Sequence, residues 1–480
     1  MVERNLSQSS MVPRSLSLYG GVMTIVSLMI GAGIFTAAGQ IHGYTGMSGF
    51  TMIIWVVSAL LGLTGALCYA ELGTMFPASG GEHQYLGSTF GPMFSFLFDL
   101  VSIFILKPGT NAIFAQVFGS HFVRLIYQSQ MEPFFDDLET HPEKDVAFIA
   151  TKLIIQVVSS VICVLVATLL AAMSPKWSDR VMNCLTFSKL FALAAIILGG
   201  LVNFILHPEV LKSAFAEPFS NGSRRVGDYA VVISEGLWSY DGWNNLNVVA
   251  GELTNVSTNL PLAIWISMSV VSTIYILTII GYYAVVPIVA YGKSTTLGIL
   301  YGYLLFGKAG AIILPLFVMA SVFSSMLSNM TTSSRIVCVA SEDGHMPKTF
   351  GVISKRFNSP VYAMIQQSSV TILIVVGIQR FEGLVTLYTF PQWFFYCACV
   401  IALLVLRVRS PDLERPYKVW ITTPVLFVLA CLALIVCTAF DAFSKGQWYL
   451  IVASVALVLA GIPVWLVLIK GKPSTKFDLE

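Results

Sequence analysis

Three places in this chain put groups able to do chemistry where apolar residues are expected. Lys189 sits inside an apolar run, where a lysine costs about 2.5–3.5 kcal/mol on insertion scales and is a functional candidate by default. Gly31-Ala32-Gly33 interrupts the run 18–40, and Ser239-Tyr240-Asp241-Gly242 interrupts the run 228–254. A helix broken in lipid exposes N–H and C=O groups that each cost several kcal/mol if unpaired, so such breaks persist where something bonds them. The second break begins a second set of five apolar segments as the first begins the first set. Matching breaks of this kind point to an inverted repeat with substrate held at the midplane between the broken helices. The other reading of Gly31 and Gly33 is close helix packing.

Further polar groups gather on later segments. Ser321, Ser325, Ser328 and Thr332 form a stripe at helical spacing. They either line a path or bond carbonyls of their own helix. Tyr388, Phe390, Gln392 and Trp393 are weaker pocket candidates on the tenth segment, and Asn244 closes the sixth-segment motif. Asp241 also has a structural reading, as the cap of a second half-helix. Asp99, Lys107 and Glu235 fall in apolar segments without assigned partners.

Several chemistries find no support. The six histidines are scattered and none forms a His-Glu-x-x-His zinc motif, so no metal, cofactor or enzymatic activity is expected. Gly302 to Lys308 spells a near match to a phosphate loop, but Ala309 follows where Ser or Thr is needed, so the match is read as chance. All eight cysteines lie in apolar runs, which argues against a disulfide framework and for thiols packed as small apolar groups. A net charge of +2 and the lack of a basic stripe with aromatics give no sign of nucleic acid. Carbonyl-filter repeats and acidic rings of a channel are also missing.

The elements that must position these groups are helices in a bilayer. The chain has 480 residues, 56% hydrophobic and 11% charged, against roughly 25% charged in soluble domains. A spanning helix takes ~20 apolar residues. Twelve segments qualify: 18–40, 48–76, 90–122, 147–172, 180–206, 228–254, 261–288, 309–340, 361–379, 384–406, 419–440 and 447–469. The fold expected is an all-α membrane protein of 12 transmembrane helices. Inverted five-helix repeats occupy 18–206 and 228–406, and two additional helices occupy 419–469. Residues 1–17 and 471–480 are polar tails, and the first apolar run has no signal-peptide cleavage site. With both termini cytoplasmic, Arg4, Arg14, Lys176, Arg180, Lys348, Arg407 and Lys418 fall inside and the acidic loop 123–146 outside; Arg224 and Arg225 are exceptions.

The motifs, in order, resemble the L-type amino acid transporter branch of the amino acid–polyamine–organocation superfamily. They are Gly31-Ala32-Gly33-Ile34-Phe35; Tyr69 to Pro77 with Ser79-Gly80-Gly81-Glu82; and Gly236 to Asn244 with Gly251-Glu252-Leu253. They continue with Ser334-Arg335, Glu342-Asp343-Gly344-His345-Met346-Pro347 and Pro411 to Val419, so the resemblance covers nearly the whole chain. It implies a sodium-independent amino acid exchanger working by alternating access. The substrate carboxylate would meet N–H groups of Ala32 and Gly33, and its ammonium the carbonyls of Met29, Trp238 and Asp241. The physics agrees, since a half-helix N-terminus offers free donors and the positive dipole end. The backbone then reads what all α-amino acids share, and the side-chain pocket reads identity.

The resemblance also gives roles to single residues. Lys189 stands where sodium-coupled relatives of the fold hold a cation, and is read as an ammonium bonded to carbonyls near Gly31; the alternative is a lysine snorkelling to the surface. Asp241 resembles the branch that accepts cationic as well as neutral amino acids, pairing with a cationic side chain. Trp238 is expected as a gate over the substrate, against an aromatic of the bundle core. Many relatives carry a cysteine between the third and fourth helices that binds a heavy subunit. The loop 123–146 has none, so no disulfide-linked heavy subunit is expected, which leaves room for a non-covalent partner. Asn221-Gly222-Ser223 is a glycosylation sequon, and the expected location is the plasma membrane. A nutrient-sensing receptor built on a transporter fold is the competing function.

Overall fold

The computed structural model describes residues 14–127, 146–220, 222–223, 226–291, 297–354, 356–378, 381–444 and 446–469. The two chain ends, most of the acidic loop and the Asn of the sequon therefore lie outside the described residues. Eighteen α-helices follow in order. The first nine are α1 (Leu18–Met29), α2 (Gly33–Thr45), α3 (Ser48–Met75), α4 (Glu82–Phe90), α5 (Pro92–Val101), α6 (Lys107–Ile126), α7 (Val146–Met173), α8 (Pro175–Leu206) and α9 (Pro208–Ala214). The rest are α10 (Val226–Ser239), α11 (Asn245–Val248), α12 (Val256–Val285), α13 (Ile288–Tyr291), α14 (Leu297–Glu342), α15 (Val361–Gly377), α16 (Phe381–Arg409), α17 (Thr422–Ser444) and α18 (Trp448–Val464). The chain is an all-α membrane protein.

Among the described residues, nine helices are long and apolar enough to cross a membrane, ten if the bent pair α1–α2 counts as one. Two of the twelve expected segments fall short of that test. The ninth is α15, with 17 residues. The sixth forms 14 residues of α10, an irregular turn, and then only the four-residue α11 and a short 3₁₀ turn. The reason is local: Asn245, Asn247 and Glu252 interrupt the apolar run after Gly242.

Burial sorts the long helices into centre and rim. The span Pro92–Ile126 has mean hydropathy 1.4 and is 72% buried, whereas Trp448–Val467 has 2.6 and is 22% buried. A helix that faces lipid can be apolar all round, while a central one exchanges apolar area for polar contacts within the bundle. The centre is formed by α6 packed on α14, with α1 against α12 and α14, and α12 against α3 and α8.

Interruptions in the helices have identifiable causes. α5 and α6 are joined by a π-helical turn, Ser102–Leu106, just before Pro108, which has no N–H to give. α14 bends at Gly307, so the phosphate-loop look-alike is helix up to a kink. α1 and α2 meet at an angle of 41° across Ile30-Gly31-Ala32.

Candidate functional site

The two broken segments touch. A Cβ on Gly33 would stand 2.7 Å from the Ser239 Cα, so only hydrogen fits where α2 begins beside the end of α10. Gly242, with φ of 112°, lets the chain turn away from α10 in a conformation that side chains disfavour. Between the breaks lies a cavity of about 30 Å³, room for one or two waters.

Met29, Gly31, Ala32, Gly33, Trp238, Ser239, Asp241, Asn244, Tyr388 and Gln392 all line this cavity. At its floor, α2 starts at Gly33, and the first N–H groups of a helix have no partner within it. Ala32 and Gly33, at this start, line the cavity, and the positive end of the α2 dipole lies there. The carbonyls at the end of α1 are more occupied. The Met29 carbonyl accepts the Gly31 N–H at 2.8 Å and the Tyr275 hydroxyl at 2.6 Å.

Lys189 stands behind the pocket. Its side chain is fully buried, and its ammonium donates to the carbonyls of Ser27 (2.8 Å), Ile30 (2.7 Å) and Ser321 (3.1 Å) and to Ser325 Oγ (3.1 Å). Ser321 and Ser325 brace the same break, donating to Ile30 O at 3.0 Å and Ser27 O at 2.8 Å. These two serines therefore bond the backbone of the broken helix and are not among the cavity lining. Thr332 donates within its own helix to Ser328 O at 3.0 Å and reaches Asn245 Oδ1 at 3.3 Å.

Asp241 turns to α16. Its Oδ1 accepts the Tyr396 hydroxyl at 2.7 Å, and Oδ2 accepts that of Tyr388. The residue at the N-cap of α11 is Asn244. Tyr388, Gln392 and Tyr396 recur every four residues and so share one face of α16. Phe390, two residues on from Tyr388, points elsewhere and does not join the lining. The same four-residue rule would have led from Tyr388 and Gln392 to Tyr396.

Lys107, Asn245 and Asn329 are further lining residues whose role the sequence leaves open. Lys107 Nζ donates to Asn245 Oδ1 at 3.1 Å, Asn245 Nδ2 to Asn244 Oδ1 at 3.2 Å, and Asn244 Nδ2 to Glu82 Oε1 at 2.6 Å. A chain of polar groups thus runs from the pocket to α4. Burial pushes the Glu82 carboxyl above the usual carboxylate range, against the opposing pull of the Lys107 ammonium and the Asn244 amide. Asn329 Nδ2 donates to the Lys107 carbonyl at 3.1 Å, fixing α6 on α14.

Asp99 finds its partners in His83 and His345. These three bring candidate metal-ligand atoms within 4.8 Å of one another. The nitrogen–oxygen separations of 2.6 and 2.8 Å are hydrogen-bond lengths, whereas two ligands on one tetrahedral zinc lie roughly 3.3 Å apart. The group is a hydrogen-bonded cluster.

A family model described as amino acid permease matches residues 16–462. The cystine/glutamate transporter of Homo sapiens is 32% identical, over 94% of this chain and 84% of its own length. The b(0,+)-type amino acid transporter 1 of Mus musculus is 32% identical, over 89% of this chain and 83% of its own. The large neutral amino acids transporter small subunit 2 of Mus musculus is 29% identical, over 94% and 80%.

Proposed function

The chain belongs to the amino acid permease family and is an integral membrane amino acid transporter rather than an enzyme, and we propose that it exchanges amino acids by alternating access without sodium. The observation that carries this reading is the contact of the two broken segments, with Gly33 against Ser239 and the pocket between them. In this reading residues 18–206 and 228–406 are the two inverted repeats, and α17 and α18 lie outside them. Both termini are cytoplasmic and the protein works in the plasma membrane.

The substrate carboxylate binds the N–H groups of Ala32 and Gly33 at the start of α2. The ammonium binds carbonyls at the end of α10, those of Trp238 and Asp241. Met29 joins them when Tyr275 releases its carbonyl. Trp238 covers the substrate. Lys189 takes the place of a sodium ion, because a fixed ammonium already occupies the carbonyls of Ser27 and Ile30. Asp241 widens the range from neutral to cationic amino acids by pairing with a cationic side chain, its two tyrosine partners holding the carboxylate at the pocket wall. No heavy subunit is attached through a disulfide at the loop 123–146, and any partner associates without a covalent bond.

The test is uptake of labelled leucine and arginine into proteoliposomes, with and without internal amino acid and sodium. Uptake that needs internal amino acid and ignores sodium is the expected result. Uptake driven by sodium overturns the role of Lys189, and uptake indifferent to internal amino acid overturns exchange.

A further inference from the structure

The short helix α4 is held from two sides. Toward the pocket, Glu82 Oε1 accepts Asn244 Nδ2 at 2.6 Å, the Tyr85 hydroxyl donates to Asn247 Oδ1 at 3.0 Å, and the Gly80 N–H donates to the Val248 carbonyl at 2.9 Å. All three contacts grip the segment that follows the second break. Away from the pocket, His83 enters a cluster built on other elements. Its Nδ1 lies 2.9 and 2.8 Å from the two oxygens of Asp99 on α5, and its Nε2 lies 2.8 Å from Asp343 Oδ2, just past α14. His345 Nδ1 lies 2.6 Å from the same Asp99, and the Ser95 hydroxyl donates to the His83 carbonyl at 3.0 Å. His83 is fully buried and Asp99 is 1% exposed.

A neutral imidazole has one N–H and one lone pair. With Asp99 beside Nδ1 and Asp343 at Nε2, the imidazolium donates to a carboxylate on each side, whereas the neutral form keeps one lone pair beside an anion, with the Ser95 hydroxyl, 2.8 Å from Nδ1, as the neutral donor it can turn to. We propose that this cluster is a proton-operated latch. Closed, it keeps His83 as an imidazolium and so fixes α4, with Glu82 against Asn244 at the pocket wall. When α4 moves off to open the pocket toward this end of the bundle, His83 meets water and gives its proton to the medium. The inference rests on the alternating-access reading and adds a proton to one of its steps.

Among the described residues, Asp99 from α5 and Asp343 and His345 from the segment after α14 are charged groups that face His83. On α4 itself Glu82 is next in sequence, and Tyr396 and Cys399 of α16 face Glu82. Burial works against the His83 charge, but Asp99 and Asp343 outweigh it and raise the imidazolium to about 9. A histidine in water titrates near ~6.5. The closed state therefore holds its proton more tightly and is favoured at low pH. Between about pH 6.5 and 9, each unit of alkalinity raises the ratio of open to closed latch by up to roughly tenfold. Outside that window the ratio is flat.

The experiment is exchange of labelled leucine in proteoliposomes of the full chain, with pH set separately on each face between 6.0 and 8.5. The wild-type rate should change by roughly fivefold or more with pH on one face only. His83→Gln and Asp343→Asn should reduce that change to less than roughly twofold. Where His83→Gln does not fold, Asp343→Asn carries the comparison. A wild-type rate flat with pH on both faces overturns the latch, and so does a slope that survives either variant. Absence of leucine exchange at every pH tells instead against the proposed exchange of neutral amino acids.

Discussion

Lys189 and Ile30 are 159 residues apart in sequence and 2.7 Å apart in the fold, ammonium to carbonyl. The contact ties α8 to the broken end of α1. A buried ammonium with four acceptors holds the break open where a bare gap would leave carbonyls unpaired, at about 1–3 kcal/mol for each.

Lys189→Ala removes that support. Ser321 and Ser325 still reach the Ile30 and Ser27 carbonyls, so the protein should remain in the membrane. Its turnover should fall by roughly tenfold or more, and its melting temperature in detergent should drop. Turnover measured in proteoliposomes at matched protein content is the check; wild-type turnover in the variant would leave Lys189 without a part in transport.

Asp241→Gly separates pairing with the substrate from holding the fold. A cationic side chain left desolvated and unpaired costs about 3–5 kcal/mol, upwards of roughly a hundredfold in affinity. A neutral side chain loses little. The hydroxyls of Tyr388 and Tyr396 lose their acceptor whichever substrate is bound, so that cost is common to both. Competition by arginine and leucine on the variant decides: loss for arginine alone supports pairing, and equal changes leave a structural role.

The apolar runs made the long helices legible, because ~20 uncharged apolar residues in a row match the thickness of a bilayer and exceed what a soluble core helix needs. The break at Gly31-Ala32-Gly33 was legible for the same reason, as a polar interruption within such a run. The second half of the sixth segment was not. Hydropathy averaged over a window passes over Asn245, Asn247 and Glu252, the polar residues that interrupt the run after Gly242. Ser321 and Ser325 fit a stripe at helical spacing, but spacing does not say whether a hydroxyl meets substrate or the carbonyl of another helix. Asp99 and Lys107 stood out as charges in lipid, whereas their partners did not. His83 is 16 residues from Asp99 and 260 from Asp343, and no periodicity links them.

The eight cysteines are free, seven of them buried or half-buried and Cys184 exposed on α8. None can reach a partner from the loop 123–146, which has no cysteine. Non-reducing gels of the protein from native membranes should show the same mobility with and without reductant. A thiol-sensitive heavier species would demand a covalent partner bound elsewhere, with Cys184 the first site to replace.

The central claim is that an amino acid binds between the two breaks with its carboxylate on the start of α2. Gly33→Ala tests it with one methyl group. That Cβ would stand 2.7 Å from the Ser239 Cα, so the breaks must part and the N–H groups shift from the carboxylate. Hydrogen bonds to a charged group are worth about 1.5–3 kcal/mol, which corresponds to a loss of roughly 10- to 100-fold in affinity. Equilibrium binding of labelled leucine to purified protein, at matched elution from a sizing column, measures this directly. The account predicts that weakening for Gly33→Ala; wild-type affinity in the variant would contradict it.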